Sequence, residues 1–380
     1  MILELSEEQQ SIQQKFHMIA ESQLRPLSLD LDQKAPGPID THFLRILERE
    51  SLNSLLIPRE YGGSPIDVIT LAVILEELSW GSVDFSSIVN ATFHAIMTIV
   101  LGASREQKSD ILPLMLNKPG VVASFCPTEE KGGSDSSFFS TLARLEKDRY
   151  ILNGSKGPVI NAGDCLFYIV WANMEHDRGR SGINAFIVPA DSEGITVGPY
   201  HDKSGYRGTP TAEVKFHETS IPKKNLIGQC GSGYLLMMQV VDWGRAMAGA
   251  SYVGLARAAV EEALEFAKTR IIKGRPIISN QGVSFILSDL VTQLEAARLL
   301  VWKACRLIEL GLDYTAASSM AKLFASELAV KATSEGMVIL GQKSAIRPSF
   351  MEKFQRDAQL GRIIEGTNQI QRAIIANQLR

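Results

Sequence analysis

The spacing of apolar residues changes twice along this 380-residue chain, and the two changes restrict the fold to helices, then strands, then helices again. From Ser6 to about Lys118 the apolar positions recur at helical intervals, with Ile12, Phe16 and Ile19 in a first stretch and Ile69, Leu71, Ile74, Leu75 and Leu78 in a later one. Ser6 and Gln9 fit a capping box that opens the first helix. The run Ile57-Pro58-Arg59-Glu60-Tyr61-Gly62-Gly63, with its proline and paired glycines, reads as a loop between helices.

From about Gly120 to Gly228 the texture is short and β-like: Tyr150 to Leu152, Leu166 to Trp171, Ala185 to Val188, and Ala212 to Phe216. Turn signals such as Asn153-Gly154 and the polar stretch Glu175 to Gly182 separate these runs. No stretch between them is long enough for a helical crossover, which predicts an antiparallel barrel or sandwich and argues against a Rossmann domain. From Tyr234 to Arg380 helical periodicity returns in the segments Gly244 to Arg270, Ser284 to Gly311 and Tyr314 to Leu340. The small residues Ala246, Ala248, Gly249, Ala250, Ser251 and Gly254 predict close helix packing there. The expected architecture is a multi-domain α+β fold: an N-terminal helical domain (1–119), a central β domain (120–228) and a C-terminal helical bundle (229–380).

A net charge of -3 gives no electrostatic reason to expect nucleic acid. Cys126, Cys165, Cys230 and Cys305 form no CxxC pair and read as reduced thiols. The six histidines lack a metal-site spacing, so no metal is expected. No signal peptide is read at the N-terminus, and no apolar run approaches the ~20 residues that span a bilayer, so the expectation is a soluble, cytoplasmic protein without membrane insertion.

The most informative segment is Arg362-Ile363-Ile364-Glu365-Gly366-Thr367-Asn368-Gln369-Ile370-Gln371-Arg372. Glu365 follows two isoleucines and precedes a glycine, so a poorly solvated loop would raise its pKa toward that of a general base. Thr367 can cap the last helix, where Ile370 and Ile374 stand four apart. On these residues alone, an ordinary helix-flanking acid is the simpler reading of Glu365.

The string Glu365 to Arg372 resembles the C-terminal signature of the acyl-CoA dehydrogenase family. The resemblance continues through the Glu-Tyr-Gly-Gly loop near residue 60, Thr128-Glu129, Gly133-Ser134-Asp135, Asn153-Gly154-x-Lys156 and Asn225-Leu226-Ile227-Gly228, in the family's order. It implies an FAD enzyme that desaturates an acyl thioester, with Glu365 abstracting the α-proton while the β-hydrogen leaves as hydride to flavin N5. Enolate charge on the thioester oxygen would meet a flavin ribityl hydroxyl and the backbone N–H beside the base, where Gly366 permits close approach. Ser134 matches a serine that meets flavin and the pantetheine arm. Phe125, Cys126 and Thr128 match positions that hold the flavin ring. Asp242 and Arg245, in Asp242-Trp243-Gly244-Arg245, match the thioester end of the substrate site. Arg270, Gln281, Gly341, Thr367 and Gln369 match groups that reach the FAD of a neighbouring subunit, which implies a dimer or homotetramer. The run Gly228-Gln-Cys-Gly231-Ser-Gly233 reads only as a turn.

Departures from the family pattern gather around the flavin. Pro158, Val159 and Ile160 stand where Trp-Ile-Thr is common, removing an aromatic that packs on the isoalloxazine and a hydroxyl near N5. Thr128-Glu129-Glu130, Lys273-Gly274 and Gly341-Gln342 differ from Thr-Glu-Pro, Phe-Gly and Gly-Gly. These changes imply a branched, cyclic or otherwise specialised acyl group, carried by CoA or by an acyl-carrier protein, and weakened FAD retention. An electron-transfer flavoprotein is the implied acceptor. The alternatives are an acyl-thioester oxidase or isomerase, and a homologue that has lost catalysis and serves as a scaffold.

Overall fold

The computed structural model describes residues 4–118, 120–137, 139–174 and 179–379, so the first part of the polar stretch 175–182 lies outside the described residues. The N-terminal third is helical: α1 (Glu7–Ile19), α2 (Arg25–Asp32), α3 (Thr41–Arg49), α4 (Val68–Gly81), α5 (Val83–Gly102), α6 (Arg105–Ile111) and α7 (Leu114–Asn117). The Ser6–Gln9 capping box is formed in both directions, at 3.2 and 3.0 Å. Helix α4 is buried from Thr70 to Gly81, because α1 and α5 and the long C-terminal helices pack around it. Among the described residues, α5 alone is long and apolar enough to cross a membrane, which corrects the expectation that no apolar run reaches that length. In this fold α5 is a core helix, with Asp84, Asn90 and His94 buried along it.

The middle third holds β1 (Val122–Cys126), β2 (Leu142–Glu146), β3 (Arg149–Ile160), β4 (Cys165–Met174), β5 (Ile183–Pro189), β6 (Ile195–Val197), β7 (Thr211–Pro222) and β8 (Leu226–Ile227). They form one sheet in the order β6-β7-β3-β2-β4-β5-β8, with β1 also on β4. Most pairings are antiparallel, but β1–β4 and β2–β4 are parallel, so the sheet is mixed rather than purely antiparallel. The absence of a helical crossover was a poor guide because the β2–β3 hairpin supplies the connection that returns the chain parallel to β1.

The last third is built on α8 (Gly233–Thr269), a short hairpin of β9 (Ile271–Ile272) and β10 (Arg275–Pro276), α9 (Gln281–Glu309), α10 (Thr315–Leu340), α11 (Gln342–Ala345), α12 (Phe350–Leu360) and α13 (Asn368–Asn377). The small residues of α8 are buried and allow α4, α5 and α10 to approach it. A Cβ at Gly254 would lie 2.1 Å from the Glu76 carbonyl oxygen of α4, a distance only glycine tolerates. Buried charges pin the thirds together: Arg257 bonds Glu76 at 2.8 Å, and Lys353 reaches Asp84 at 2.8 Å and Asp357 at 2.6 Å. Removing one member of such a set would strand its partner's charge in the core.

Candidate active site

Glu365 lies in the turn between α12 and α13 with φ 57, and Gly366 follows at φ 80. A left-handed conformation costs a non-glycine residue ~1–2 kcal/mol, so the surroundings must impose it. They do so through Lys322 on α10, which donates to the Gly366 carbonyl at 2.7 Å and to Asn368 Oδ1 at 2.8 Å. Gln371 donates to the Glu365 and Gly366 carbonyls at 3.1 and 2.9 Å, and Thr367 caps α13 by accepting from Ile370 N.

The Glu365 carboxylate faces His94 of α5, whose Nε2 is 3.3 Å from Oε2. His94 Nδ1 lies 2.7 Å from the Asn90 carbonyl oxygen, and the ring sits between Phe125 and Trp243 at centroid distances of 5.3 and 5.9 Å. Burial pushes the Glu365 pKa up, but His94, Lys322 and Arg245 outweigh it and hold the carboxylate below its ordinary value. This corrects the expectation of a raised pKa, which considered the apolar neighbours in sequence and not the three cationic side chains that the fold brings in. Burial also pushes the Lys322 ammonium down to about 7, against the pull of Glu365.

Beside Glu365 is a cavity of about 30 Å³, lined among others by Asn90 of α5, Ser251 and Tyr252 of α8, Ile160 of β3, and Tyr206 from the segment before β7. Ile160 thus meets Glu365 across one small space. Of its neighbours, Val159 is buried and Pro158 exposed. Phe125 is half-buried with its ring edge-on to Trp171, and Thr128 is half-buried. Cys126 is fully buried, backbone included, and burial holds its thiol up to about 12. Ser134 is exposed on the loop after β1. Arg245 is buried and paired with Asp242, which also accepts from Thr315 at 2.8 Å.

The two middle motifs meet in a buried pair: Lys156 donates to Glu129 at 2.9 Å, and Ser140 and Thr141 bond the same carboxylate. This pins the loop after β1 to β3, a structural task.

Arg270, Gln281 and Gly341 stand apart from Glu365. Helix α8 runs unbroken past Arg245 to Thr269, with Arg270 as its cap. At ~1.5 Å per residue, Arg270 is about 37 Å along the axis from Arg245, longer than an extended FAD molecule. Gln281 opens α9 across the hairpin, and Lys343 over the Phe266 ring at 5.5 Å brings Gly341 to the same end. Thr367 and Gln369, grouped with these three by resemblance, lie instead beside Glu365.

These donors and acceptors suit a dinucleotide. The exposed Arg270 can fork onto a diphosphate, and at the Glu365 end the buried Trp171 Nε1, Arg245 Nε and Asn90 Oδ1 have no protein partner. Sequence reasoning missed His94 and Lys322. A single histidine inside an apolar helix carries no distinguishing pattern, and only the adjoining Trp243-Gly244 pair hints at a ring needing room.

Three family models match the chain in succession: acyl-CoA dehydrogenase N-terminal domain over residues 6–119, middle domain over 124–219 and C-terminal domain over 231–380. A probable acyl-CoA dehydrogenase, FadE25 of Mycobacterium tuberculosis, is 34% identical over 379 residues, covering 100% of this chain and 97% of that protein. The butyryl-CoA dehydrogenase structure from Megasphaera elsdenii superposes with a TM-score of 0.95 at 31% identity, covering 100% of each chain. The prolyl acyl carrier protein oxidase AnaB gives a TM-score of 0.92 at 26% identity, covering 99% of this chain and 100% of that one. The chain belongs to the acyl-CoA dehydrogenase family. Within it, the protein is an FAD-dependent dehydrogenase of acyl thioesters.

Proposed function

We propose that this enzyme introduces a Cα–Cβ double bond into a short acyl thioester, with Glu365 taking the α-proton. The observation that carries the reading is the Glu365 carboxylate, held by an imposed backbone conformation on the wall of a small cavity. A carboxylate in this position can reach an α-carbon placed between it and Ile160. FAD, when bound, supplies the two-electron acceptor for the β-hydrogen. The N–H groups of the 365–367 turn are positioned near the thioester oxygen to stabilise enolate charge. Arg245 lies on that side as well, oriented by its ion pair with Asp242.

Similarity to a butyryl-CoA dehydrogenase supports a short acyl group, and the Asn90, Ser251 and Tyr252 lining of the cavity tolerates a polar one. Similarity to a prolyl acyl carrier protein oxidase supports a carrier-bound substrate as the second reading. The distance between Arg270 and Arg245 supports a homo-oligomer, dimer or tetramer, in which Arg270, Gln281 and Gly341 complete a neighbour's FAD site. Exposed apolar residues on the hairpin and α9, including Ile271, Ile272 and Phe285, give such an assembly a surface to bury. An electron-transfer flavoprotein is the proposed acceptor.

The test is anaerobic incubation of the FAD-loaded protein with butyryl-CoA and, separately, butyryl-acyl-carrier protein, followed by mass spectrometry. The 2,3-enoyl thioester from either supports the activity and assigns the carrier. Flavin reduction without that product would overturn the reaction proposed.

A further inference from the structure

The buried His94 has no role in the chemistry derived so far, yet its free ring nitrogen points at the base. Its Nδ1 is 2.7 Å from the Asn90 carbonyl oxygen, an atom that can only accept, so Nδ1 carries a proton. That leaves Nε2 at 3.3 Å from Glu365 Oε2, an ion-pair contact that falls short of hydrogen-bond geometry, and without any hydrogen-bond partner. A histidine serving only as core filling would have no reason to present its second nitrogen to a carboxylate. With Nε2 unprotonated, two lone pairs would oppose each other in a poorly solvated space. One proton must therefore lie between the two groups. On Oε2 it would leave a neutral acid unable to accept the α-proton. On Nε2 it leaves a carboxylate with one oxygen engaged and one free.

We propose that His94 is a positioning residue: as an imidazolium it holds Oε2 of Glu365 through Nε2–H and leaves Oε1 as the oxygen that takes the α-proton. The proposal rests on the reading of Glu365 as the base. The proton moves from the substrate α-carbon to Oε1, and the imidazolium keeps its own proton, so no further reactant is needed. At 3.3 Å the contact is an ion pair short of hydrogen-bond geometry, and catalytic pairs commonly tighten only when substrate closes the site.

The surrounding charges favour this distribution. Lys322 from α10 and Arg245 from α8 both act on the carboxylate and stabilise its ionised form. Asp242 is occupied by Arg245 and Thr315. Tyr252 of α8, buried, is pushed far up in pKa and stays neutral. Phe125 from β1 and Trp243 and Gly244 from α8, which pack on the ring, bring no ionisable group. Burial alone would discharge the imidazole, but Glu365 outweighs it and holds His94 above its ordinary value.

Glycine at 244 is what makes room for this ring. A Cβ there would lie 1.9 Å from Nε2, so only a glycine leaves the Nε2 end of the ring free beside α8.

The decisive experiment is a double-mutant cycle on the FAD-loaded protein with His94→Phe, Glu365→Gln and both together, read as urea denaturation midpoints across pH. A histidine held above its unfolded pKa stabilises below 6.5 and loses that contribution as pH rises through the folded value. A glutamate held below its unfolded pKa stabilises above 4.5 and loses it as pH falls. The pair should therefore be non-additive between pH 4.5 and 6.5 and become additive in alkaline solution. Stopped-flow flavin reduction with butyryl-CoA adds a second reading: His94→Phe should lower the rate about tenfold or more by releasing the carboxylate. His94→Gln, whose amide can donate to Oε2, should recover part of that loss, and it replaces His94→Phe in the cycle if the latter does not fold. Additivity at every pH overturns the pairing, whether or not butyryl-CoA reduces the flavin. Non-additivity with undiminished turnover in Glu365→Gln would keep the pairing and remove Glu365 as the base.

Discussion

Substituting Gly244 by alanine sets two effects of known sign against each other. In a helix interior alanine is favoured over glycine by about 0.8–1.0 kcal/mol, so an unobstructed site would gain stability. At position 244 the new Cβ would lie 1.9 Å from His94 Nε2 and 2.6 Å from Cε1. Optimal contacts between such atoms are at about 3.5 Å, so the ring or the helix must shift by about 1.5 Å. The ring has no slack, because retreat breaks its 2.7 Å bond to the Asn90 carbonyl and drives it toward Phe125. Overpacking of this kind costs ~1–3 kcal/mol, which exceeds the helix gain and leaves a net loss of about 1 kcal/mol, at most ~2. Gly282→Ala in the first turn of α9 is the control, since a Cβ there meets nothing within 4 Å. Urea denaturation of the FAD-loaded proteins should therefore show Gly244→Ala below wild type and Gly282→Ala at or above it. A Gly244→Ala protein as stable as wild type would mean that His94 is not wedged against α8, and the geometry of the base would have to be redrawn.

Glu129→Gln should be less stable than wild type at neutral pH, because Lys156, Ser140 and Thr141 overcome burial and hold the Glu129 carboxyl at about 2 against an ordinary 4.5. That difference amounts to about 3 kcal/mol, present above pH 4.5 and lost as pH falls toward 2, so denaturation midpoints of variant and wild type should converge in acid. Lys322→Met removes the donors at 2.7 and 2.8 Å that fix the 365–367 turn, but also a buried charge. Flavin reduction should therefore fall about tenfold or more, and stability should fall as well, by ~1–3 kcal/mol, because buried acceptors lose their donor. Pro158→Trp combined with Ile160→Thr should tighten FAD by restoring a packing ring and a hydroxyl, each contributing ~0.5–1.5 kcal/mol, as measured by FAD dissociation constants; an unchanged constant would mean that neighbouring residues already compensate.

The order of helices and strands was readable because apolar spacing matches burial at Phe16 and Ile19 of α1, and because the short continuous apolar runs of β4 and β5 are buried almost throughout. The parallel β1–β4 pairing was not readable, since strand direction follows from long-range connection and local spacing is the same either way. For the candidate site, the chain position of Glu365 carries a recognisable string, but its electrostatics depend on His94, Arg245 and Lys322, separated from it by 271, 120 and 43 residues. Nothing in the local sequence reports such encounters. Arg270 and Gln281 show the converse: resemblance gathered them with the flavin, and the unbroken length of α8 removes them from their own chain's base.

The most direct test of the whole account is stopped-flow reduction of bound FAD by butyryl-CoA in wild type and Glu365→Gln. The amide keeps the size of the side chain but cannot accept a proton, and loss of a general base costs ~10²–10⁴ in rate. The account requires rapid bleaching of the flavin in wild type and a loss of that size in the variant, with FAD still bound. Bleaching of both proteins at the same rate would show that the α-proton goes elsewhere and would contradict the central assignment.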